Sequence, residues 1–227
     1  MTSAVKNLVI PIAAAIAVLL LWNTFVVYPL KIFVVFLHEL SHGLAAVATG
    51  GSIQRIELSP QQGGVCYTAG GIQFFVLSAG YLGSLFWGAL LLVLSSRTRM
   101  SRGIVGFLGA LTLLVTLIYV RSLFGFAYGL LAGAGMLLIA VRLPEGVSDV
   151  LVKVIGVTSC LYAVWDIGSD VLTRSIPGSD ASQLARITFV PAVIWGVVWI
   201  LISIAVIVLA LRVAFKGTLK AAMKSQL

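Results

Sequence analysis

Long apolar runs separated by short polar interruptions dominate this chain, and the length of the runs decides its class. They fall at about 7–28, 31–49, 71–95, 103–120, 123–141, 147–172 and 189–212. A helix needs about 20 apolar residues to cross the hydrocarbon core of a bilayer, and each run is near that length. A soluble core could enclose one such run, but six or seven in so short a chain belong in lipid. The pattern predicts an all-α polytopic membrane protein with about six to seven membrane helices.

The interruptions carry their own information. Pro29 parts the first two runs, because proline lacks an N–H and pushes the preceding residue out of helix. Gly50-Gly51 ends the second. Residues 52–70 then change period: SIQRIEL alternates apolar and polar residues, SPQQGG reads as a turn, and VCYTAGG reads as a second short strand. A β-hairpin between two membrane helices has to be shielded by protein or line a wet cavity, since lipid cannot satisfy its backbone. In the third run Gly80, Gly83, Ser84 and Gly88 are small residues at helical spacing, which lets helices approach closely. The stretch 173–188 is polar, with Pro177-Gly178 as a turn, and reads as a loop.

Composition agrees: 60% of residues are hydrophobic and 10% charged, against about 25% charged in soluble domains. The net charge of +8 does not point to nucleic acid. Arg97, Arg99 and Arg102 share one short gap, and Arg212, Lys216, Lys220 and Lys224 follow the last run, where the positive-inside rule and anionic headgroups favour them. This places the C-terminus and the Arg97–Arg102 loop in the cytoplasm and 173–188 outside. The first run, preceded by Lys6, reads as a retained helix, being long for a signal peptide. Cys66 and Cys160 define no disulfide or metal spacing and read as packing residues. With no repeat or appended soluble domain, 1–227 is expected to be one membrane domain: first helix 7–28, a second at 31–49, hairpin 52–70, core helices 71–172, last helix 189–212 and basic tail 213–227.

The chemistry concentrates at His38-Glu39-Leu40-Ser41-His42, an HExxH pattern in a chain with two histidines. Residues four apart share a helix face, so both imidazoles can meet one ion. Zinc accepts such nitrogens, keeps a position open for water and lowers that water's pKa to about 7. Glu39 is placed to take a proton from it. A polar cluster within an apolar helix marks a functional site. With no third histidine, a carboxylate has to complete the site, from Glu57, Glu145, Asp149, Asp166, Asp170 and Asp180. Depth favours Asp166, roughly 9 Å from the end of its run, with Asp170 as the alternative, while Asp180 falls in the loop.

HELSH in a membrane helix, the following hairpin, the SAGYLGS stretch and the YAVWDIGSDV…GSDA stretch together resemble the site-2 protease family of intramembrane zinc metalloproteases, and most closely its small branch without a PDZ domain. The resemblance spans roughly residues 30–190. It implies Zn²⁺ as cofactor, held by His38, His42 and an aspartate. Glu39 would act as general base, and the reaction would be hydrolysis of a peptide bond in or near a transmembrane segment of a protein substrate. It also implies that an extended substrate adds to the hairpin at Gly64, Val65, Cys66 and Tyr67, with Gly80 and Ser84 beside it. The chain departs from the family where a glycine-proline-x-x-asparagine stretch is usual, reading Gly80-Tyr81-Leu82-Gly83-Ser84. It departs again at the leucine-aspartate-glycine around the third ligand, reading Trp165-Asp166-Ile167. The expected setting is a bacterial plasma membrane. A non-catalytic metal-binding scaffold or chaperone, and a metal or solute transporter, are the competing functions. The oligomeric state is not legible.

Overall fold

The structure is a computed structural model that describes residues 3–173 and 178–224, with side chains for 9–171 and 178–214. It contains eight α-helices among the described residues: α1 (Ser3–Leu20), α2 (Tyr28–Ala48), α3 (Gln73–Arg97), α4 (Ser101–Tyr119), α5 (Leu123–Arg142), α6 (Glu145–Ile167), α7 (Asp180–Thr188) and α8 (Ala192–Lys224). Strands β1 (Ser52–Leu58) and β2 (Gly64–Ala69) form an antiparallel hairpin between α2 and α3. Six helices are long and apolar enough to cross a membrane, and α1 contributes the shorter apolar helix Val9–Leu20. The chain is thus a polytopic α-helical membrane protein carrying one small hairpin, as the apolar runs predict.

Helix α2 is the centre of the bundle. Ile32 to Leu37 are all buried, and the His38, Glu39, Ser41 and His42 that follow on the same helix need protein or a wet cavity around them and not lipid. Pro29 sits in its first turn, where its missing N–H costs nothing. Helices α5 and α8 instead turn Leu131, Leu138, Leu201 and Leu209 outward, a liability in water but the normal lipid face in a bilayer. Small residues set the crossings. A Cβ on Gly88 of α3 would stand 2.7 Å from Cys160 Sγ and 2.8 Å from the Gly156 carbonyl of α6, and Gly109 of α4 faces Gly133 of α5. Without a hydrophobic driving force between helices in lipid, such close backbone contact supplies much of the attraction. Cys160 is thereby a packing residue, and both cysteines are free thiols.

Backbone contacts hold the hairpin along its β1 edge. Val120 bridges Ile56 of β1, the Arg121 N–H donates to the Ile56 carbonyl at 3.0 Å, and Ser122 Oγ bonds both the N–H and the carbonyl of Leu58 at 2.9 Å. These contacts with the α4–α5 connection satisfy backbone that lipid could not. The outer edge of β2 has no backbone partner among the described residues.

The structure departs from the sequence expectations at three places. The first helix ends at Leu20 and not near residue 28; Thr24 turns both its N–H and its hydroxyl onto the Leu21 carbonyl, closing local turns in place of a further helical turn. The run ending near 172 leaves α-geometry at Gly168 for a π-helical stretch, Gly168–Thr173. The stretch 173–188 is not simply a loop. Its second half is α7, capped by Ser179 accepting from the Ser182 N–H and anchored by buried Ala181 and Leu184. The tail continues α8 as helix to Lys224. Pro177 and the side chains of Lys216, Lys220 and Lys224 lie outside the described residues.

Candidate metal centre

The site is built where α2, α3 and α7 meet. His38 and His42 lie one turn apart on α2, ring centroids 4.8 Å apart, the contact their four-residue spacing provides. Asp180 Oδ2 stands 3.2 Å from the Nε2 atoms of both His38 and His42. One ligand atom from each of the three residues lies within 4.8 Å of the others. Two ligands bound at 2.0–2.1 Å to a common tetrahedral ion stand roughly 3.3 Å apart, which the two aspartate–histidine spacings match. An ion held by all three would keep a fourth position free, as catalytic zinc sites do and closed structural ones do not.

Each ligand is oriented from behind. His42 Nδ1 donates to the Val76 carbonyl at 2.7 Å. A carbonyl only accepts, so the ring proton is on Nδ1 and Nε2 keeps its lone pair for a metal. Tyr81 packs edge-on against His38, centroids 5.2 Å apart, and its hydroxyl donates to Asp170 at 3.0 Å. Asp180 opens α7, where the helix dipole favours a carboxylate. Ala181 and Leu184 seat that helix in an apolar cluster with Tyr81, Ile167, Val171 and Trp199. Burial alone would push the Asp180 carboxyl upward; the imidazoles of His42 and His38 outweigh it and hold the carboxyl below its usual range.

Gly80 leaves the space for this cluster. A Cβ there would stand 2.5 Å from His42 Nε2 and 2.6 Å from Asp180 Oδ2, and would collide with His38 Nε2. Gly80→Ala is expected to keep the fold and lower zinc affinity by about 10–100-fold, the cost of disturbing ligand orientation, measured by competition with a zinc-responsive dye. Unchanged affinity would mean that the ligands do not converge on this point.

Glu39 is buried beside the histidines and turned to the hairpin. A Cβ on Gly64 would stand 2.7 Å from Glu39 Oε1, so the bare glycine of β2 leaves room for the carboxylate between helix and strand. Both residues line a cavity of about 1060 Å³ that also holds His38, His42, Asp166, Asp170 and Asp180. Burial, then the charge of Glu39, pushes the Cys66 thiol up to about 12, so it is no nucleophile at neutral pH.

The sequence expectations meet this geometry unevenly. His38, Glu39 and His42 come together. The carboxylate that reaches the histidines is Asp180, not Asp166 or Asp170, which line the cavity nearby. Reckoning depth from the end of α6 fails because the chain turns back after the π-helical stretch and returns Asp180 to the site. The signal that could have found it is Ser179-Asp180, a helix-opening pair ahead of apolar Leu184 and Ile187. Gly64, Val65, Cys66 and Tyr67 line the cavity, and Gly80 packs against the ligand atoms. Ser84 does not join them: it is fully buried and bonds the Gly80 carbonyl within α3 at 3.1 Å, so it has no face for a substrate.

No curated protein and no solved structure matches the chain significantly. The family profile described as Peptidase M50B-like matches residues 11–210. That match spans most of the sequence and includes every residue of the His38–His42–Asp180 cluster, and the protein therefore belongs to the Peptidase M50B-like family, within the site-2 protease group.

Proposed function

We propose that this protein is a zinc-dependent intramembrane endopeptidase that hydrolyses a peptide bond in or near a transmembrane segment of a protein substrate. The convergence of His38, His42 and Asp180 beside Glu39, on the wall of a cavity lined by a strand with one open edge, carries the proposal. These three residues would hold the metal. When bound, zinc supplies a Lewis acid that acidifies a water and polarises the carbonyl under attack. Glu39 takes the proton of that water and returns it to the leaving amine. The open edge of β2 draws the substrate into extended form by strand addition, which exposes a peptide bond that helix would shield. A transmembrane segment fits this task, since its backbone needs a partner at membrane depth.

The basic ends of the helices give an orientation. Arg97 bonds the Val213 carbonyl and Arg102 the Leu143 carbonyl, gathering the end of α3, the start of α4, the α5–α6 connection and the far part of α8 at one face. Positive charge favours the cytoplasm for that face. The metal cluster lies at the other end of α3, with Gly80 about 10 Å along the helix from its start, so the cavity opens to the non-cytoplasmic side.

The test is metal removal. Purified protein should carry about one zinc per chain. Stripping it with 1,10-phenanthroline should abolish cleavage of a transmembrane reporter peptide, and added zinc should restore it. Cleavage by metal-free protein would defeat this reading.

A further inference from the structure

One buried charge in the cavity has no task in this chemistry. Lys31 lies in the first turn of α2 and is 6% exposed. Along α2 the residues Lys31, Val35, His38 with Glu39, and His42 recur at helical spacing, and all line the same cavity. The ammonium sits 4.7 Å from the centroid of the Trp22 ring, and that ring packs in turn against Tyr162 and Trp165. Among the described residues the Lys31 ammonium makes no ion pair or hydrogen bond; only its backbone N–H is bonded, to the Val27 carbonyl. Glu39, Asp166, Asp170 and Asp180 all line the cavity, yet none is within ion-pair distance of it. The side chain faces the cavity and not the outer surface, where lysines near helix ends usually reach.

An enclosed ammonium with only a ring face beside it is poorly compensated for lost hydration. A charge at membrane depth is retained where it meets a partner. Here the described residues supply none, and the cavity is open to a ligand.

Resting on the intramembrane peptidase reading, we propose that Lys31 anchors an acidic side chain of the substrate, three to four residues from the scissile bond. The distance follows from the helix. Lys31 and Glu39 are eight residues apart, about 12 Å along the axis, and an extended strand covers that in three to four residues at roughly 3.3 Å each. The hairpin provides the track. Gly64 faces Glu39, and two residues back, in the turn, the Gln62 carbonyl accepts from the Tyr162 hydroxyl at 3.3 Å, beside the Trp22 ring that lies against Lys31. A strand added to β2 passes Glu39 at Gly64, and its extended continuation past the turn leads toward the ammonium. Selectivity then comes from a charge that a neutral transmembrane segment leaves unpaired.

The test uses zinc-loaded Glu39→Gln protein in neutral detergent and fluorescent transmembrane peptides, identical except for one aspartate moved position by position. Wild-type protein maps the scissile bond by mass spectrometry. Fluorescence anisotropy should find tighter binding, by about tenfold or more, at one position three or four residues from that bond. Lys31→Met in the same background should bring the ratio of aspartate to neutral peptide near one. Lys31→Glu should reverse it in favour of a lysine peptide at that position, an inversion that lost stability cannot produce. The anchor is overturned if no position gains, if the gain lies elsewhere, or if it survives Lys31→Met. Should the aspartate peptide bind through Lys31 while wild-type protein cleaves nothing, the peptidase reading fails and the anionic site stands.

Discussion

Replacing Glu39 with glutamine is expected to leave one zinc per chain and to lower cleavage by about 10²–10⁴-fold, the usual contribution of a positioned general base. Glutamine has the shape of glutamate, so the space that Gly64 leaves for the side chain stays filled and the hairpin keeps its place. What changes is the ability to accept a proton. Glu39 is not among the residues whose ligand atoms converge, so metal content should not follow the mutation. Metal analysis and cleavage of a transmembrane reporter peptide, run on the same preparation, separate the two effects. A variant that keeps zinc and still cleaves within a few-fold of wild type would remove Glu39 from the role of base. One that loses both metal and activity would place it among the ligands.

Asp180→Ala is expected to lose the metal, while Asp166→Ala and Asp170→Ala keep it. Asp180 Oδ2 is 3.2 Å from both imidazoles, so its removal takes one of three ligand atoms and leaves a buried and a half-buried histidine facing each other. The loss of zinc affinity should exceed the roughly 10–100-fold that an outer partner costs, with cleavage falling in step. Asp170 holds the Tyr81 hydroxyl and Tyr81 packs on His38; its alanine variant should weaken zinc only within that smaller range. If Asp166→Ala strips the metal and Asp180→Ala does not, the assignment drawn from the tertiary structure is wrong and depth along α6 was the better guide.

Much of this protein is local, and local features can be read from the chain. Apolar runs of spanning length give the helices, because lipid leaves no other way to satisfy the backbone. The change from helical to alternating period at Ser52, with a turn at Pro60, gives the hairpin. Four-residue spacing gives the meeting of His38 and His42, since four residues are little more than one full helical turn. Gly83 and Gly88 announce close helix contact before the partners, Ser41 and Gly156, are known.

What the sequence could not give depends on distance through space. Asp180 is 142 residues from His38 and enters the site only because Ala181 and Leu184 seat α7 among Tyr81, Ile167 and Trp199. No periodicity encodes how far a chain returns after leaving a helix, so counting residues from the end of α6 selected Asp166. Ser84, on the same helix as Gly80, lost its expected role for a related reason: one turn of α3 separates a glycine packed on the ligands from a serine bonded inside the helix. Nothing along the chain marks Lys31 until Trp22, in the connection before α2, is seen beside its ammonium. The sequence by itself determined the helices, the hairpin and the histidine–glutamate core, because hydrogen bonding and side-chain spacing within a segment act over a few residues. Only the tertiary structure decided the third carboxylate and the buried ammonium, because both are set by where packing brings distant segments together.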